Sequence, residues 1–142
     1  MSTDFMDARD WQLLKLLQRD GRMSFAELGR RVKLTAPAVT ERVRRMEDRG
    51  VIRGYRAQVD LAAIGRPLRV ILRVQVPPKE YARFGKVVHA LEVVEECHHV
   101  TGGEAFVLKA AVADVLALEK LIQKLSTFGP TVTSVVLSTT LE

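Results

Sequence analysis

Basic side chains crowd into one short stretch of this chain, where together they could bind an anion. Nine Lys and Arg lie between residues 30 and 56, against three Asp and Glu. Residues 1–57 hold 13 basic and 8 acidic side chains, whereas residues 58–142 hold 9 of each, so the whole net charge of +5 belongs to the first part. The asymmetry indicates an anion-binding module joined to a neutral one. A solvated basic surface without a partner would give the same count.

The residues around this stretch predict a helix–turn–helix. Apolar residues recur every three or four positions over about 7–20, 24–32 and 35–49, which is the period of a helix. Asp7, Ser24 and Thr35 are residue types that cap helix N-termini, and Gly21 and Gly50 supply stops. Only a short turn separates the second helix from the third. This geometry can place the third helix in the major groove of DNA.

The third helix carries the side chains expected of a DNA-reading helix. Thr40 can contact a base edge or a phosphate, and Glu41 can accept a hydrogen bond from cytosine N4. Arg44 and Arg45 can bind guanine or phosphate, while small residues in the first turn let the backbone approach, and the helix N-terminus attracts phosphate. The predicted DNA-binding residues are Ser24, Thr35, Ala36, Pro37, Ala38, Thr40, Glu41, Arg42, Arg44, Arg45, Arg53 and Arg56.

The second half of the chain follows a different pattern, and the boundary falls near residues 60–65. Strict alternation of apolar and polar residues over 67–76 predicts a strand. Further strands are expected over 93–101, 105–113 and 132–140, with helices over 79–91 and 115–125. The order β-α-β-β-α-β is that of a ferredoxin-like sandwich. The face that carries Ile71 among polar residues has no helix to cover it, so we expect self-association to bury it.

The sequence gives little support for a metal site or a catalytic site. Cys97, His98 and His99 look like metal ligands, but adjacent residues on a strand point to opposite faces, and zinc needs four ligands. His89 is the only other histidine. We therefore expect no metal and no cofactor, and we expect Cys97 to be a small buried apolar residue. The sequence contains no phosphate-binding loop, nucleophile elbow or zinc-protease motif, which argues against an enzyme.

Cysteine usage and hydropathy indicate the compartment. A single cysteine excludes an internal disulfide, and no apolar stretch approaches the ~18 residues of a membrane span. The acidic start of the chain lacks the basic and apolar regions of a secretory signal. These features predict a cytoplasmic protein with no membrane association.

Motifs spread from Met6 to Leu141 combine these features into one pattern. They are Met6-Asp7, Asp10, Leu13-Leu14, Leu17-Gln18-Arg19-Asp20-Gly21-Arg22, Ala26-Glu27-Leu28, Thr35-Ala36-Pro37, Arg42-Val43-Arg44-Arg45-Met46-Glu47, Gly50-Val51-Ile52-Arg53-Gly54-Tyr55, Val94-Glu95-Glu96-Cys97-His98, Val100-Thr101-Gly102, Leu116 and Leu118-Glu119. In order and spacing the chain resembles the Lrp/AsnC (leucine-responsive, feast-famine) family of transcriptional regulators. The resemblance implies an α+β fold. An N-terminal three-helix (winged) helix-turn-helix domain with a linker strand would span 1–60, with its helix-turn-helix at about 24–45. A ferredoxin-like βαββαβ sandwich, the RAM domain, would span 61–142.

The resemblance also implies a function. Such a protein would be a sequence-specific regulator of transcription that binds double-stranded DNA. It would form dimers through the RAM domains and assemble further into tetramers or octamers. An architectural DNA-wrapping protein of the same fold, with little sequence or effector specificity, is the alternative. A metabolic enzyme or sensor built on the second half is a third reading, and the absence of catalytic motifs speaks against it.

Members of this family bind an effector, usually an amino acid, between RAM domains of neighbouring dimers. The matching residues here are Thr101, Gly102, Gly103, Glu104, Ala105, Thr131, Thr133 and Ser134. The sequence departs from the family pattern, because Gly103 and Ala105 stand where many members have aspartate. Three alternatives follow: Glu104 substitutes for the missing acid, the effector is of another kind, or the loop is a tight glycine hairpin that binds nothing.

Overall fold

The chain folds into two compact units that divide between Gln58 and Val59. A computed structural model describes residues 5–103 and 105–140. The first unit contains α1 (Ala8–Arg19), α2 (Phe25–Val32) and α3 (Ala36–Asp48). The second contains β1 (Leu68–Val74), α4 (Tyr81–His89), β2 (Val94–His99), β3 (Phe106–Val112), α5 (Val115–Ser126) and β4 (Thr131–Val135), with a single 3-10 turn at Pro78–Glu80.

Side chains cap the three helices of the first unit at the residues that the sequence indicates. The Asp7 carboxylate accepts hydrogen bonds from two backbone amides of the first turn of α1, at 2.8 and 3.0 Å. The hydroxyls of Ser24 and Thr35 each accept one from the amide three residues ahead, at 3.2 and 3.4 Å. These bonds satisfy amides that a helix leaves unpaired at its start. The predicted helix starts are thus confirmed.

The turn between α2 and α3 is tight and depends on a glycine. Lys33 adopts a left-handed conformation with φ +57°, and the Leu34 N–H donates to the Gly29 carbonyl at 2.9 Å. A Cβ atom on Gly29 would lie 2.4 Å from the Leu34 carbonyl oxygen, which is far inside van der Waals contact. Glycine therefore lets α2 and α3 meet closely, and the predicted helix–turn–helix is confirmed.

The core of the first unit is a small aliphatic cluster with one buried charge. It contains Leu13, Leu17, Leu28, Val32, Val39, Val43, Met46 and Ile52. Ile52, which follows α3, belongs to this cluster. The carboxylate of Asp10 is buried with it and has no exposed surface. Such burial requires charged or hydrogen-bonding partners.

The wing and linker strand that the family resemblance implied are not found in the described residues of the first unit. After α3 the described chain contains no strand before Leu68. Gly54 has φ +143°, a backbone conformation that favours glycine, whereas the chain bends at Val51 and Ile52. A wing needs two strands paired by backbone hydrogen bonds. The described residues between α3 and Leu68 include no strand, so no such pair is present there.

The second unit is an antiparallel sheet with helices on one face. The strand order is β2-β3-β1-β4, with β1 paired to both β3 and β4. Val70, Leu72 and Val74 alternate along β1 on the covered face and pack with buried residues of both helices, including Phe84 of α4 and Leu125 of α5. This confirms the predicted β-α-β-β-α-β order and the α+β fold class.

Strand β4 is shorter than predicted. It ends at Val135, whereas the sequence indicated a strand from 132 to 140. Its last backbone bond to β1 is donated by the Val136 N–H to the Arg69 carbonyl at 2.9 Å. β1 begins at Leu68, and the residue before it, Pro67, has no N–H to donate to a further pair. Backbone pairing with β1 therefore ends here, even though the residues after β4 are still rich in β-branched side chains.

The other face of the sheet carries no helix. Register places ten residues of the four strands on this open sheet face: Arg69, Ile71, Arg73, Glu96, His98, Val107, Lys109, Ala111, Val132 and Ser134. Ile71 is half-buried in its centre, between Lys109 and Ser134 on the neighbouring strands. The predicted contrast between a helix-covered apolar face and a mixed open face is confirmed. Burial of the open sheet face by self-association remains a prediction.

The expectation that Cys97 is buried is wrong. Cys97 pairs with Leu108 and so lies on the side of the sheet that the helices cover, yet it is exposed. β2 is an edge strand, and its residues from Glu95 to His99 are all exposed. The two helices cover the middle of the sheet, so a position at its edge keeps solvent contact whatever its residue type.

Candidate nucleic-acid interface

One face of α3 presents four exposed side chains at helical spacing. Pro37, Thr40, Glu41 and Arg44 are exposed and lie three or four residues apart, so they form one stripe, called here the reading stripe. Val39, Val43 and Met46 on the opposite side are buried in the core. The aliphatic core thus fixes which face of α3 points outward.

Arg44 is the cation of the reading stripe that is free to bind. No hydrogen bond or ion pair engages its side chain within the described residues, and Glu41 likewise has no partner there. The Thr40 hydroxyl donates to the Ala36 carbonyl at 2.9 Å. Its own hydrogen is thereby used, so Thr40 is arranged to accept a hydrogen bond from a base amino group.

The N-terminus of α3 offers few free backbone donors. Pro37 has no N–H, and the Ala38 N–H is held by Thr35. The Ala36 amide therefore remains as the first-turn donor for a phosphate. Ser24 caps α2 in the same way as Thr35 caps α3. Both cap hydroxyls act as acceptors inside the protein, which leaves their hydrogens available to a phosphate oxygen.

Carboxylates of the first unit hold Arg42 and Arg45, and the predicted contact of these two arginines with DNA stays a prediction. Nη1 of Arg42 donates to Asp7 at 2.7 Å and to Asp10 at 2.9 Å, and Nη2 of Arg45 donates to Asp10 at 2.8 Å. These charge-assisted hydrogen bonds raise the pKa of Arg42. The pKa of Asp7 is lowered, first by the backbone N–H of Asp10 and then by Arg42. Both arginines are committed to the protein itself.

Intramolecular partners also hold other members of the basic stretch. Glu27 accepts hydrogen bonds from Arg30 and Arg31 at 2.7–2.8 Å, which lowers its pKa to about 2. The Arg49 guanidinium lies 4.5 Å from the centre of the Phe5 ring. Charge counting therefore overstates the number of cations available to DNA.

Four cations of the basic stretch have no partner in the described part of the chain. They are Lys33, Arg44, Arg53 and Arg56. Arg53 and Arg56 are exposed on the segment after α3, which agrees with their predicted contact to the DNA backbone without testing it. These four side chains and the reading stripe make up the surface on which DNA could be bound.

Asp10 binds two arginines of α3 and is not among the residues that the sequence predicts for this site. It lies among the apolar residues that recur along the first helix. An acidic residue inside an otherwise apolar stripe is the signal that could have identified it. A buried carboxylate needs charged or hydrogen-bonding partners, and arginines of another helix are long enough to reach it.

The loop expected to bind an effector is exposed in the second unit. Thr101, Gly102 and Gly103 are exposed, and Gly102 has φ +110°, a conformation that favours glycine. Glu104 lies outside the described residues. Ala105 packs into the core at 8% exposure, so its side chain faces away from any ligand in the loop. A contact of Ala105 with an effector stays a prediction.

The remaining predicted effector residues lie on another strand. Thr131, Thr133 and Ser134 belong to β4, whereas the loop precedes β3. Phe106 and Thr131 both pair with Val74, so one strand separates them, and their backbones lie about 10 Å apart. The structure therefore does not bring the loop and β4 together within one chain. A separate open cavity of about 420 Å³ is lined by Pro67, Arg69 and residues 136–140, not by this loop.

A metal site is not found in the described residues. Across residues 5–103 and 105–140, no three His, Cys, Asp or Glu side chains are arranged to hold a metal ion. Nε2 of His98 instead donates a hydrogen bond to the Glu96 carboxylate at 2.9 Å. None of the described helices is long and apolar enough to cross a membrane.

Comparison with known proteins gives consistent matches in both units. The model of the AsnC-type helix-turn-helix domain matches residues 6–47, and that of the Lrp/AsnC ligand binding domain matches residues 69–142. The HTH-type transcriptional regulator LrpC of Bacillus subtilis is 36% identical over 133 residues, which is 94% of this chain and 92% of LrpC. The leucine-responsive regulatory protein of Haemophilus influenzae is 38% identical over 120 residues, 82% of this chain and 72% of that protein.

Solved structures agree with these relatives. The structure of LrpC superposes with a TM-score of 0.90 and covers 94% of this chain and 96% of LrpC. A feast or famine regulatory protein from M. tuberculosis, complexed with L-methionine, superposes with a TM-score of 0.86 at 34% identity. It covers 96% of this chain and 95% of that one.

Proposed function

Because the chain belongs to the Lrp/AsnC family of transcriptional regulators, we propose that it recognises a specific DNA sequence through the reading stripe of α3. The family consists of regulators and not of enzymes. The observation that carries the proposal is the unpaired Arg44 on the exposed face of a capped second helix of a helix–turn–helix. Arg44 would bind guanine, and Thr40 and Glu41 would accept hydrogen bonds from base amino groups.

Phosphate contacts would come from residues around the reading stripe. Arg53 and Arg56 supply charge from the segment after α3, and Lys33 supplies it from the turn before α3. The Ala36 amide and the cap hydroxyls of Ser24 and Thr35 supply hydrogen bonds. Such contacts fix the position of a protein on the duplex without reading its sequence.

A competition experiment tests this function. A preferred duplex is selected from a random pool, and its affinity is compared with that of a random duplex at one salt concentration. A specific regulator is expected to prefer the selected site by ~10³-fold or more. A ratio close to one would instead identify an architectural protein that wraps DNA without reading it.

We further propose that the second unit binds an amino acid at the loop of Thr101, Gly102 and Gly103. The L-methionine complex of the M. tuberculosis relative supports this ligand class. The backbone conformation at Gly102 supports the site, because no side chain there blocks a carboxylate from the loop amides. Titration calorimetry with L-methionine and a panel of other amino acids tests the proposal. If none of the amino acids gives a heat of binding, the loop is a structural hairpin that does not bind them.

Self-association would complete this site. Within one chain β1 and β3 lie between the loop and the last strand, so a ligand touching both Thr101 and Thr133 needs two copies. We propose a dimer that buries the open sheet face, and further assembly into tetramers or octamers. Light scattering with and without amino acids measures the mass of the assembly and so tests this proposal. As a DNA-binding regulator the protein would act in the cytoplasm.

A further inference from the structure

Asp10 connects the start of α1 to α3. It is the only fully buried charged side chain in the described part of the chain. Its carboxylate accepts hydrogen bonds from Arg42 at 2.9 Å, from Arg45 at 2.8 Å and from the Asp7 backbone N–H at 3.0 Å. One carboxylate therefore ties two points of α3, almost one helical turn apart, to the capped end of α1.

Arg45 depends on Asp10 more than Arg42 does. Arg42 has a second carboxylate partner in Asp7, at 2.7 Å. The Nε atom of Arg45 is buried without an acceptor in the described residues, so Asp10 is the one group there that holds this guanidinium. Arg45 directly follows Arg44, the unpaired cation of the reading stripe.

Aliphatic packing alone orients α3 only weakly. The contacts of Val39, Val43 and Met46 are non-directional, whereas charge-assisted hydrogen bonds are directional. A rotation of α3 by about 20° would move an atom 5–6 Å from the helix axis by about 2 Å. Such a shift breaks a hydrogen bond to a base edge, because these bonds weaken beyond ~3.2 Å.

We propose that Asp10 is a positioning residue that sets the DNA sequence specificity of this protein, by fixing the orientation of α3 through Arg42 and Arg45. The inference rests on the DNA recognition proposed above. Asp10 also keeps both arginines from binding phosphate. Its loss would release two cations next to the reading stripe, and these would strengthen binding to any duplex.

The test compares Asp10→Asn with Glu27→Gln. Glu27 is a matched control, because it also pairs with two arginines but lies on α2 and does not contact α3. Affinities for the selected and the random duplex are measured at one salt concentration, per active protein. Asp10→Asn is expected to lower the specificity ratio by about tenfold, the effect of one lost base contact, without weakening random binding. Glu27→Gln is expected to keep the wild-type ratio.

A double-mutant cycle separates positioning from direct contact. If Arg45 acts through Asp10, then Arg45→Gln and the double variant should lower the specificity ratio no further than Asp10→Asn does. Additive losses would show that Arg45 touches DNA itself and would overturn the inference. Asp10→Asn leaves the Arg45 guanidinium without its carboxylate partner, and the single variant could fail to fold for that reason. The double variant lacks this guanidinium and therefore still allows the measurement.

The remaining outcomes distinguish the two proposals. A wild-type ratio in the folded Asp10→Asn or double variant would overturn the positioning role while the proposed function stands. An equal loss in Glu27→Gln would attribute the effect to released charge and would also overturn it. A wild-type protein with no sequence preference would overturn the proposed function, and this inference with it.

Discussion

At the level of single residues, ion pairs distinguish two arginines of α3 from a third. Arg42 and Arg45 stand two and one positions from Arg44 and have the same chemistry, yet both are bound to carboxylates of α1. Arg44 has no partner within the described residues. The difference arises from the helical period, which turns Arg42 and Arg45 toward α1 and turns Arg44 outward.

Replacement of Arg44 tests its role as a base-reading residue. Arg44→Ala is expected to cost ~1–3 kcal/mol on the selected duplex and much less on a random one. Fluorescence anisotropy at fixed salt measures both affinities. Arg30→Ala serves as the control, because Arg30 is an exposed arginine bound to Glu27 on α2. A loss of equal size on both duplexes would assign Arg44 to phosphate.

The low pKa of Glu27 predicts a pH-dependent contribution to stability. Arg30 and Arg31 lower this pKa to about 2, below its ordinary value of 4.5. The folded state thus holds this proton less tightly than the unfolded state does. The stabilising effect is complete above about pH 4.5 and is lost as the pH falls toward 2. The difference in urea midpoint between wild type and Glu27→Gln should therefore be constant near neutral pH and shrink as the pH falls.

Glu41→Gln is the control for this pH effect. Glu41 is an exposed glutamate on α3 with no partner in the described residues. Its difference from wild type should not follow the pH dependence seen for Glu27. A Glu27→Gln difference that stays unchanged down to pH 3 would contradict the assigned ion pairs.

At the scale of helices and strands, close backbone contacts determine how the recognition helix is presented. α2 and α3 meet through a turn in which Gly29 touches the backbone of Leu34. The caps at Ser24 and Thr35 start both helices at fixed points. Small shifts in this turn would change the direction of α3 relative to α2 and move the reading stripe with it.

Gly29→Ala should destabilise the first unit. The new Cβ would lie 2.4 Å from a backbone oxygen that cannot move without opening the turn, and overpacking of this kind costs ~1–3 kcal/mol. Chemical denaturation measures the change. Gly85→Ala in α4 is the matched control, because no atom lies within 4 Å of its Cβ position. There alanine should stabilise by about 0.5–1 kcal/mol. Equal effects at the two sites would contradict the tight turn.

At the scale of the whole molecule, the two units divide the chemistry between them. The basic unit carries the reading stripe, and the neutral unit carries the open sheet face and the effector loop. The open sheet face holds Ile71 and Val107 among charged residues, a mixture typical of protein–protein interfaces. A dimer built through the neutral unit would supply two copies of the basic unit to one duplex.

Ile71→Lys tests whether the open sheet face forms the interface. A lysine there would add charge beside Lys109, its partner on β3, and a buried unpaired charge is costly. We expect light scattering to report a smaller assembly than for the wild type. Leu116→Lys, on α5, is the control, because Leu116 is 60% exposed on the helix layer. Unchanged mass for Ile71→Lys would place the interface elsewhere.

The sequence is enough to predict the helix starts, the order of helices and strands along the chain, and the exposed face of α3. Each follows from local physics, because the caps at Ser24 and Thr35 act within one turn, and alternation along β1 sorts side chains between two faces. Arg44 could be identified as outward-facing for the same reason. The family could be recognised because such local signals keep their order along the chain.

The tertiary structure alone decided which charges are paired and which strands lie at the edge. Asp10 and Arg45 are 35 residues apart, and nothing local reveals that α1 brings its carboxylate to α3. Cys97 is exposed because β2 is an edge strand, and β4 ends early because Pro67 precedes the start of its partner strand β1. These outcomes depend on contacts between distant segments, whose pairing is fixed only when the two cores are packed.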